Sequence, residues 1–394
     1  MRTQLENNTL TLFLEGHIDS GNASLVEQEI FAAVEGMPDA ELTVDAEGLE
    51  YISSAGLRVL MKLKKQSGKQ IKVINVSPQV WEIFEITGFV VLFDVHKRIR
   101  KISIEGCELI GKGATASVYR MAPDTIVKVY REDRDIKMIE DERVRAKAAF
   151  LKGVPSAISF DIVKVGNCYG TVYELLDAEV LGQIIKKDRA NLRHYITSFA
   201  REIRSLHQIE VEPGEFTDIR RLFLGWMDRL TGLVGTQEEI DTLKQMFEIM
   251  PERHTFLHGD CHTENVMLQN GEFQFIDLAT SGMGHPVIDL TSMALIYKLS
   301  AMSDHYEEIS KTSSQLQGFS RDEALFIWDT FLKAYLDTED PEYIKKAERQ
   351  VVAYSALRFL FTAFTVPGLI SKKELMEMKA IALDYCRNIE PLCF

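Results

Sequence analysis

The chain has little cysteine, no long apolar run and a shortage of positive charge. Its five Cys (Cys107, Cys168, Cys261, Cys386 and Cys393) are scattered and form no Cys-x-x-Cys pair. That excludes a disulfide framework and a tetrahedral zinc site, and it fits a reducing cytoplasm. Charged residues interrupt every apolar stretch, so no membrane span is expected. The first eight residues, Met1 to Asn8, lack the apolar core of a secretory signal. Lys and Arg number 45 against 59 Asp and Glu, a formal net charge of −14. Such a balance disfavours nonspecific nucleic-acid or anionic-membrane binding. The one short basic run, Lys97-Arg98-Ile99-Arg100-Lys101, reads as a linker face. What remains is ordinary for a globular protein, with 46% hydrophobic and 26% charged residues over 394 positions, enough for two domains.

The first hundred residues alternate strand and helix signals. Thr9–Leu14 alternates with period two and predicts a strand. Asp19-Ser20-Gly21-Asn22 offers a cap to a helix over residues 23–34. Glu41–Asp45 and Ile71–Val76 are further strands. Ser53-Ser54-Ala55-Gly56 opens a helix over residues 57–65, and Ser77-Pro78 opens a third that runs to Thr87. The pattern implies a small sheet with helices packed on it, an α/β unit over residues 1–100.

From about residue 103 the signals become antiparallel strands: 107–110, 117–121, 125–130, 157–165 and 169–175, with a helix near 135–151 between them. After 181 the chain turns mostly helical. Residues 103–394 are therefore expected to form a two-lobed α+β unit. Its sheet-rich N-lobe covers 103–180 and its helical C-lobe 181–394.

Within the C-lobe, residues 258–265 read His-Gly-Asp-Cys-His-Thr-Glu-Asn, and Phe-Ile-Asp-Leu follows at 275–278. Between them two alternating runs flank Asn270-Gly271, a strong hairpin signal. Asp260 supplies a carboxylate able to orient and deprotonate a hydroxyl. Asn265 and Asp277 supply oxygen ligands for Mg²⁺, a hard cation that keeps its waters. Loop, tight hairpin and exit carboxylate together suit phosphoryl transfer from ATP, which needs positioning and charge neutralisation above all. His258 reads as shaping the loop. Cys261 and His262 match neither a zinc site nor a Cys–His nucleophile. Asp289, in an apolar setting, is expected to accept backbone hydrogen bonds from the loop.

The nucleotide end is read from three further segments. Gly111-Lys112-Gly113-Ala114-Thr115-Ala116-Ser117 is a Gly-rich turn between strands, either an ordinary hairpin or a phosphate loop contributed by Gly111, Gly113 and Ser117. Lys128 sits inside an apolar strand and needs a carboxylate or phosphate partner, unless it snorkels at an edge. Glu142 can pair with it; Glu140 is the competing choice. Tyr173-Glu174-Leu175-Leu176 ends the last strand, where backbone at Glu174 and Leu176 could bond an adenine edge or simply close the sheet.

Residues 103–394 thus resemble the aminoglycoside phosphotransferase/choline kinase family, a branch of the protein-kinase-like fold. The resemblance rests on His258–Asn265 as His-Gly-Asp-x-x-x-x-Asn, on Ile276-Asp277-Leu278, and on Gly284-His285-Pro286-Val287-Ile288-Asp289-Leu290. His285 replaces the family's Asp, and Ala116 replaces a third glycine. The resemblance implies an ATP- and Mg²⁺-dependent transfer to a hydroxyl of a small molecule or a protein serine. Residues 1–100 resemble the STAS domain of anti-sigma-factor antagonists, through Leu14–Asp19, Leu49–Arg58 and Trp81–Phe89. That resemblance implies a regulatory or docking module with a possible protein partner, and it aligns Ser54 with a phosphorylated serine. Ser53 or Ser54 would otherwise serve as a helix cap.

Two alternatives stand beside the enzyme: a catalytically silent, nucleotide-sensing scaffold in a partner-switching pathway, and a regulator in which only the first domain matters. For the acceptor, Trp226, Trp328, Tyr335 and Tyr354 with Glu248, Glu252, Glu307 and Glu308 could line a pocket for a cationic alcohol. The same residues equally suit a core and a solvated face. Antibiotics as substrates do not follow from the fold.

Overall fold

The computed structural model describes every residue except Pro38, Ala114, Pro367 and Leu369. The chain divides into two units, Met1–Ser103 with Val163–Gly166, and Ile104–Ile162 with Asn167–Phe394.

In the first unit five strands stand in the order β1-β2-β3-β4-β5: Arg2–Glu6, Thr9–Ile18, Glu41–Ile52, Lys72–Val76 and Asp94–Lys97. The pairs β2–β3, β3–β4 and β4–β5 are parallel. Each crossover carries a helix: α1 (Ala23–Glu35), α2 (Ser54–Ser67), then α3 (Pro78–Ile86) with the short α4 (Phe89–Leu92). β1 was not expected from the sequence. It forms an antiparallel hairpin with β2 through Asn7 and Asn8, both at positive φ, and every one of its residues is exposed. An Asn-Asn turn was the available signal. β3 also runs seven residues beyond the expected Glu41–Asp45 stretch, with register shifts where it bends against β2. Leu12, Val44, Val73, Leu63 and Phe84 fill the core between sheet and helices. Gly56 admits that packing, because a Cβ there would lie 2.7 Å from both Ile18 and Ile52.

The second unit opens with an antiparallel sheet. β7 (Glu108–Lys112), β8 (Ala116–Ala122), β9 (Thr125–Tyr130) and β11 (Cys168–Glu174) pair in the order β11-β9-β8-β7. β6 (Arg100–Ile102) precedes them, and β10 (Ser159–Val165) lies between β9 and β11 in sequence. Helix α5 (Ile136–Leu151) is capped by Asp135, whose carboxylate accepts the Lys137 N–H at 3.2 Å. The rest is helical around a large apolar core that includes Phe199, Phe256, Phe331 and Leu357. Two small ribbons interrupt the helices. One joins β12 (Glu179–Val180), β14 (Val266–Gln269) and β15 (Glu272–Phe275). The other pairs β13 (Thr255–Leu257) with β16 (Gly282–Gly284). The β14–β15 turn is the expected Asn270-Gly271, with both residues at positive φ. Among the described residues, no helix is long and apolar enough to cross a membrane.

Candidate active site

Alternation along β9 buries Val127 completely and turns Lys128 to the opposite face, towards the cleft. Its ammonium lies 2.8 Å from Glu142 Oε1 and 3.0 Å from Asp277 Oδ1. Glu142 projects from α5 and is 7% exposed, which selects it over Glu140 as the partner. Burial opposes the charge of Lys128, but the Asp277 and Glu142 carboxylates outweigh it and raise its pKa above the ordinary value. Burial pushes the Tyr173 phenol beside this group up to about 12.

The loop His258–Asn265 is held by groups distant in sequence. Asp289 accepts the His258 N–H at 2.8 Å, the Gly259 N–H at 2.6 Å and a contact from His207 Nε2 at 3.0 Å. This is the backbone-anchoring role expected for Asp289. His258 Nε2 lies 3.0 Å from the Ile276 carbonyl, tying the loop to the exit of the hairpin. Gly259 sits at φ +84°, and a Cβ there would fall 2.0 Å from the Thr280 carbonyl oxygen. Gly259→Ala is therefore expected to cost about 3 kcal/mol of stability. Urea unfolding of the variant checks this, and a loss under 0.5 kcal/mol, the range of a neutral surface change, would contradict it.

Asp260 leaves this loop with its carboxylate 44% exposed. Burial pushes its pKa up, but His262 at 3.5 Å and Arg358 at 3.7 Å more than offset that and hold the carboxyl below its usual range. Ser292 Oγ donates to Asp260 Oδ1 at 3.2 Å. Asn265 donates its side-chain Nδ2 to the Asp260 backbone carbonyl at 2.8 Å, and its backbone carbonyl accepts the Ile276 N–H at 3.0 Å. The carboxamide oxygen of Asn265 is thus the end left for a cation. Asp277 follows in the left-handed region, φ 60° and ψ 58°, a conformation uncommon for any residue but glycine, asparagine or aspartate. The buried Cys261 thiol has its pKa raised well above normal by burial, which suits packing and not attack.

Three cavities connect through shared lining residues. The first, about 310 Å³, is lined by Gly111, Gly113, Val118, Glu174, Leu176 and Met267, with Asn265 and Asp277 at its end. The second, about 510 Å³, shares Lys128, Glu142 and Asp277 with the first and adds Asp260, Arg134 and Arg145. The third, about 460 Å³, continues from Arg145 and Thr280 to Phe223, Trp226, Arg358 and Phe361. Lys128, Glu142, Asp260, Asn265 and Asp277 are therefore gathered on one cleft.

Ser117 is not among the residues lining it. Strand alternation puts Ala116 and Val118 on the cleft side, so this residue of the Gly-rich turn faces away. Ala114 of the same turn lies outside the described residues. At the strand end, the Glu174 N–H bonds the Ile158 carbonyl at 3.3 Å and the Leu175 N–H bonds the Asp124 carbonyl at 2.8 Å, which fixes the backbone that edges the first cavity. Of the residues considered for the acceptor, Trp226 alone lines the third cavity. Trp328, Tyr335 and Tyr354 are core, while Glu248, Glu252, Glu307 and Glu308 are exposed on the surface. The acidic pocket considered for a cationic alcohol is not formed, because those carboxylates lie on solvent-facing surfaces and three of the aromatics pack inward, a choice of face that helical spacing leaves open. Arg134, Arg145, His207 and Arg358 were missed, as they reach the site only through tertiary packing.

Among the described residues, no group of three or more His, Cys, Asp or Glu is placed to hold a metal ion. An Asn–Asp pair nonetheless fits Mg²⁺, which takes few protein ligands and completes its shell with water and phosphate oxygens.

His285, standing where an Asp was expected, takes over a capping role, its Nδ1 accepting the Val287 N–H at 3.2 Å. Burial, helped by the charge of Arg253, lowers its pKa from 6.5 to about 4. The folded state therefore favours the neutral ring, while the unfolded chain binds a proton near pH 6.5. This contribution is complete above about pH 6.5 and is lost as pH falls towards 4, by up to about 3 kcal/mol. Denaturant unfolding between pH 7.5 and 4.5 should show that slope, flattened in His285→Asn.

A model of the phosphotransferase enzyme family matches residues 106–342, and one described as Mlab, STAS domain, matches residues 1–93. A Bordetella bronchiseptica protein described as an anti-sigma factor antagonist, BtrV, is 38% identical over 85 residues, 21% of this chain and 72% of that protein. Among solved structures the chain is similar to a choline/ethanolamine kinase family protein from Mesorhizobium loti. That match has 16% identity and a TM-score of 0.45, and covers 72% of this chain and 87% of the other. It is also similar to ADP-bound aminoglycoside phosphotransferase APH(2'')-Ib, with 15% identity and a TM-score of 0.47, covering 77% of this chain and 98% of the other.

Proposed function

From the chain's membership of the phosphotransferase enzyme family, with a STAS domain ahead of it, we propose that it transfers the γ-phosphate of ATP to a hydroxyl and that the STAS domain docks or regulates it. The observation that carries this reading is the junction of Lys128, Glu142 and Asp277 on the same cleft as Asp260 and Asn265. A silent scaffold would have no need of all of them.

In this reading, Gly111, Gly113 and the strand end at Glu174 and Leu176 receive the nucleotide, and Lys128 meets its phosphates. Asn265 and Asp277 would hold Mg²⁺, which when bound neutralises phosphate charge. Asp260 orients the acceptor hydroxyl and takes its proton as the acceptor oxygen bonds to the γ-phosphorus. The bond from that phosphorus to the β-phosphate oxygen breaks, and ADP leaves. His262 and Arg358 hold Asp260 ionised at neutral pH, so that it can accept the hydrogen bond of the acceptor hydroxyl and take its proton only as that oxygen bonds to phosphorus. The test is Mg²⁺-dependent ADP release by the wild type and Asp260→Ala. Equal background release by both would favour the nucleotide-sensing scaffold.

The STAS unit adds a second acceptor to consider. Ser53 is the cap of α2, accepting the Ala55 N–H at 3.2 Å, which leaves the exposed Ser54 at the first helical position. A phosphate on Ser54 would meet free helix amides and alter the surface offered to a partner. Incubation with Mg·ATP is expected to add one phosphate to residues 1–100, read by intact mass and absent in Ser54→Ala. ATP consumption without added mass would reject self-modification.

A further inference from the structure

The third cavity carries a charge signature that points to the acceptor. Its lining includes two guanidinium groups, Arg145 and Arg358, and no carboxylate. Arg358 is already engaged, donating to the Gly259 carbonyl at 2.7 Å, to Thr291 Oγ1 at 2.9 Å and to Ser292 Oγ at 3.0 Å. Arg145 is not. Its Nε is buried without a hydrogen-bond partner, and its side chain makes no ion pair or hydrogen bond among the described residues. It borders both the cavity of Asp260 and the cavity beyond.

The carboxylates that face the middle cavity are largely spoken for. Glu142 and Asp277 pair with Lys128, and Asp260 lies between His262 and Arg358. Asp141 is exposed, in the turn of α5 before Arg145, and no ion pair joins the two. Arg145 therefore presents several uncommitted N–H donors where Asp260 and the aromatic wall meet. That wall is made by Phe223, Trp226 and Phe361, with ring centroids 5.1–5.7 Å apart. An ammonium group placed here would face two guanidinium charges, whereas an oxyanion would satisfy the open donors with charge-assisted bonds. A cavity of this size holds a small molecule.

Resting on the phosphotransferase reading, we propose that the acceptor is a small anionic alcohol with an apolar or aromatic body, its carboxylate or phosphate held by Arg145 and its hydroxyl presented to Asp260. Arg145 is then a specificity-determining residue of the acceptor site.

The test titrates four matched alcohols into the full chain loaded with Mg·ADP, by calorimetry. They are 3-phenyllactate, 2-hydroxy-3-phenylpropyl phosphate, neutral 3-phenylpropane-1,2-diol and cationic 1-amino-3-phenylpropan-2-ol. At least one anion is expected to bind about tenfold or more tightly than the ammonium compound, the equivalent of about 1.4 kcal/mol. The two anionic arms tell carboxylate from phosphate. Arg145→Gln should shrink the preference to about threefold or less while ADP affinity stays within about twofold, and Arg145→Lys should restore part of it. Three results would overturn the proposal: ammonium binding as tight as the better-bound of the two anions, no binding by any of the four while Mg·ADP binds, or equal losses of ADP and anion affinity in Arg145→Gln. Failure of Mg·ADP to bind would instead remove the phosphotransferase reading, and the same four titrations on the nucleotide-free chain would then decide the charge preference alone.

Discussion

Asp260→Asn is expected to lower kcat by about a thousandfold, within the range by which a positioned acid or base accelerates proton transfer, with little change in the binding of Mg·ADP. Asp260 does not border the first cavity, which the proposed reading gives to the nucleotide, but lines the second, which shares Arg145 and Thr280 with the third. Its carboxylate is partly open to solvent, so asparagine can replace it without burying a new group. The contacts that shape the loop are made mostly by its neighbours and survive the change: Asp289 to the His258 and Gly259 amides, and the Asn265 amide to the Asp260 carbonyl. What asparagine removes is the ability to take a proton, together with the attraction of Arg358 and His262 for a charge at this point. Steady-state ADP release with acceptor present measures the loss, and nucleotide titration measures what is kept. A fall in ADP affinity matching the fall in kcat would mean that Asp260 serves the nucleotide and not the acceptor.

Why was this half of the site legible in the sequence, and the acceptor half not? Asp260, Asn265 and Asp277 lie within eighteen positions of one another, on a loop and hairpin whose turn is set by Asn270-Gly271. Short spacing and the hairpin keep the three together, while Asp289 and Arg358 hold the loop from farther along the chain. Lys128 could be noticed because a charge within an apolar strand needs a partner. Choosing Glu142 over Glu140 required knowing which face of α5 is buried, which periodicity left open. Ser117 could have been set aside from strand alternation alone, since Ala116 and Val118 share the opposite face. β1 was hidden because every side chain on it is exposed, so no apolar alternation marks it. Arg145 and Arg358 are further removed. One comes from the N-lobe helix and the other from helix Pro341–Leu360, and only the packing of that unit brings them beside Gly259 and Thr280. No spacing rule links positions so far apart. The aromatic residues show the same limit: four were candidates by composition, and tertiary packing sent three to the core and one to the cavity wall.

Asp277→Asn should reduce kcat by about a thousandfold or more, since on the proposed reading it takes a ligand from Mg²⁺ and with it several kcal/mol of transition-state charge stabilisation. The residue serves two partners. It lies 3.0 Å from the Lys128 ammonium and borders both the first cavity and the second, which holds Asp260. Its left-handed backbone turns the carboxylate to this point immediately after the hairpin, and asparagine tolerates that conformation as well as aspartate does. The fold should therefore survive, with unfolding free energy within about 1 kcal/mol of wild type, as for most substitutions outside a packed core. Alanine would keep neither feature, losing the ligand oxygen and adding backbone strain of about 1–2 kcal/mol. The pair of variants thus separates chemistry from conformation. Both should lose turnover, but only Asp277→Ala should also lose stability. Asp277→Asn should shift the Mg²⁺ concentration needed for half-maximal ADP binding upward by about tenfold or more, consistent with losing one charged ligand from a site that has few. Asp260→Asn should leave that concentration unchanged. If Asp277→Asn kept wild-type Mg²⁺ dependence, the cation would have to be held elsewhere, and the role given to Asn265 would fall with it.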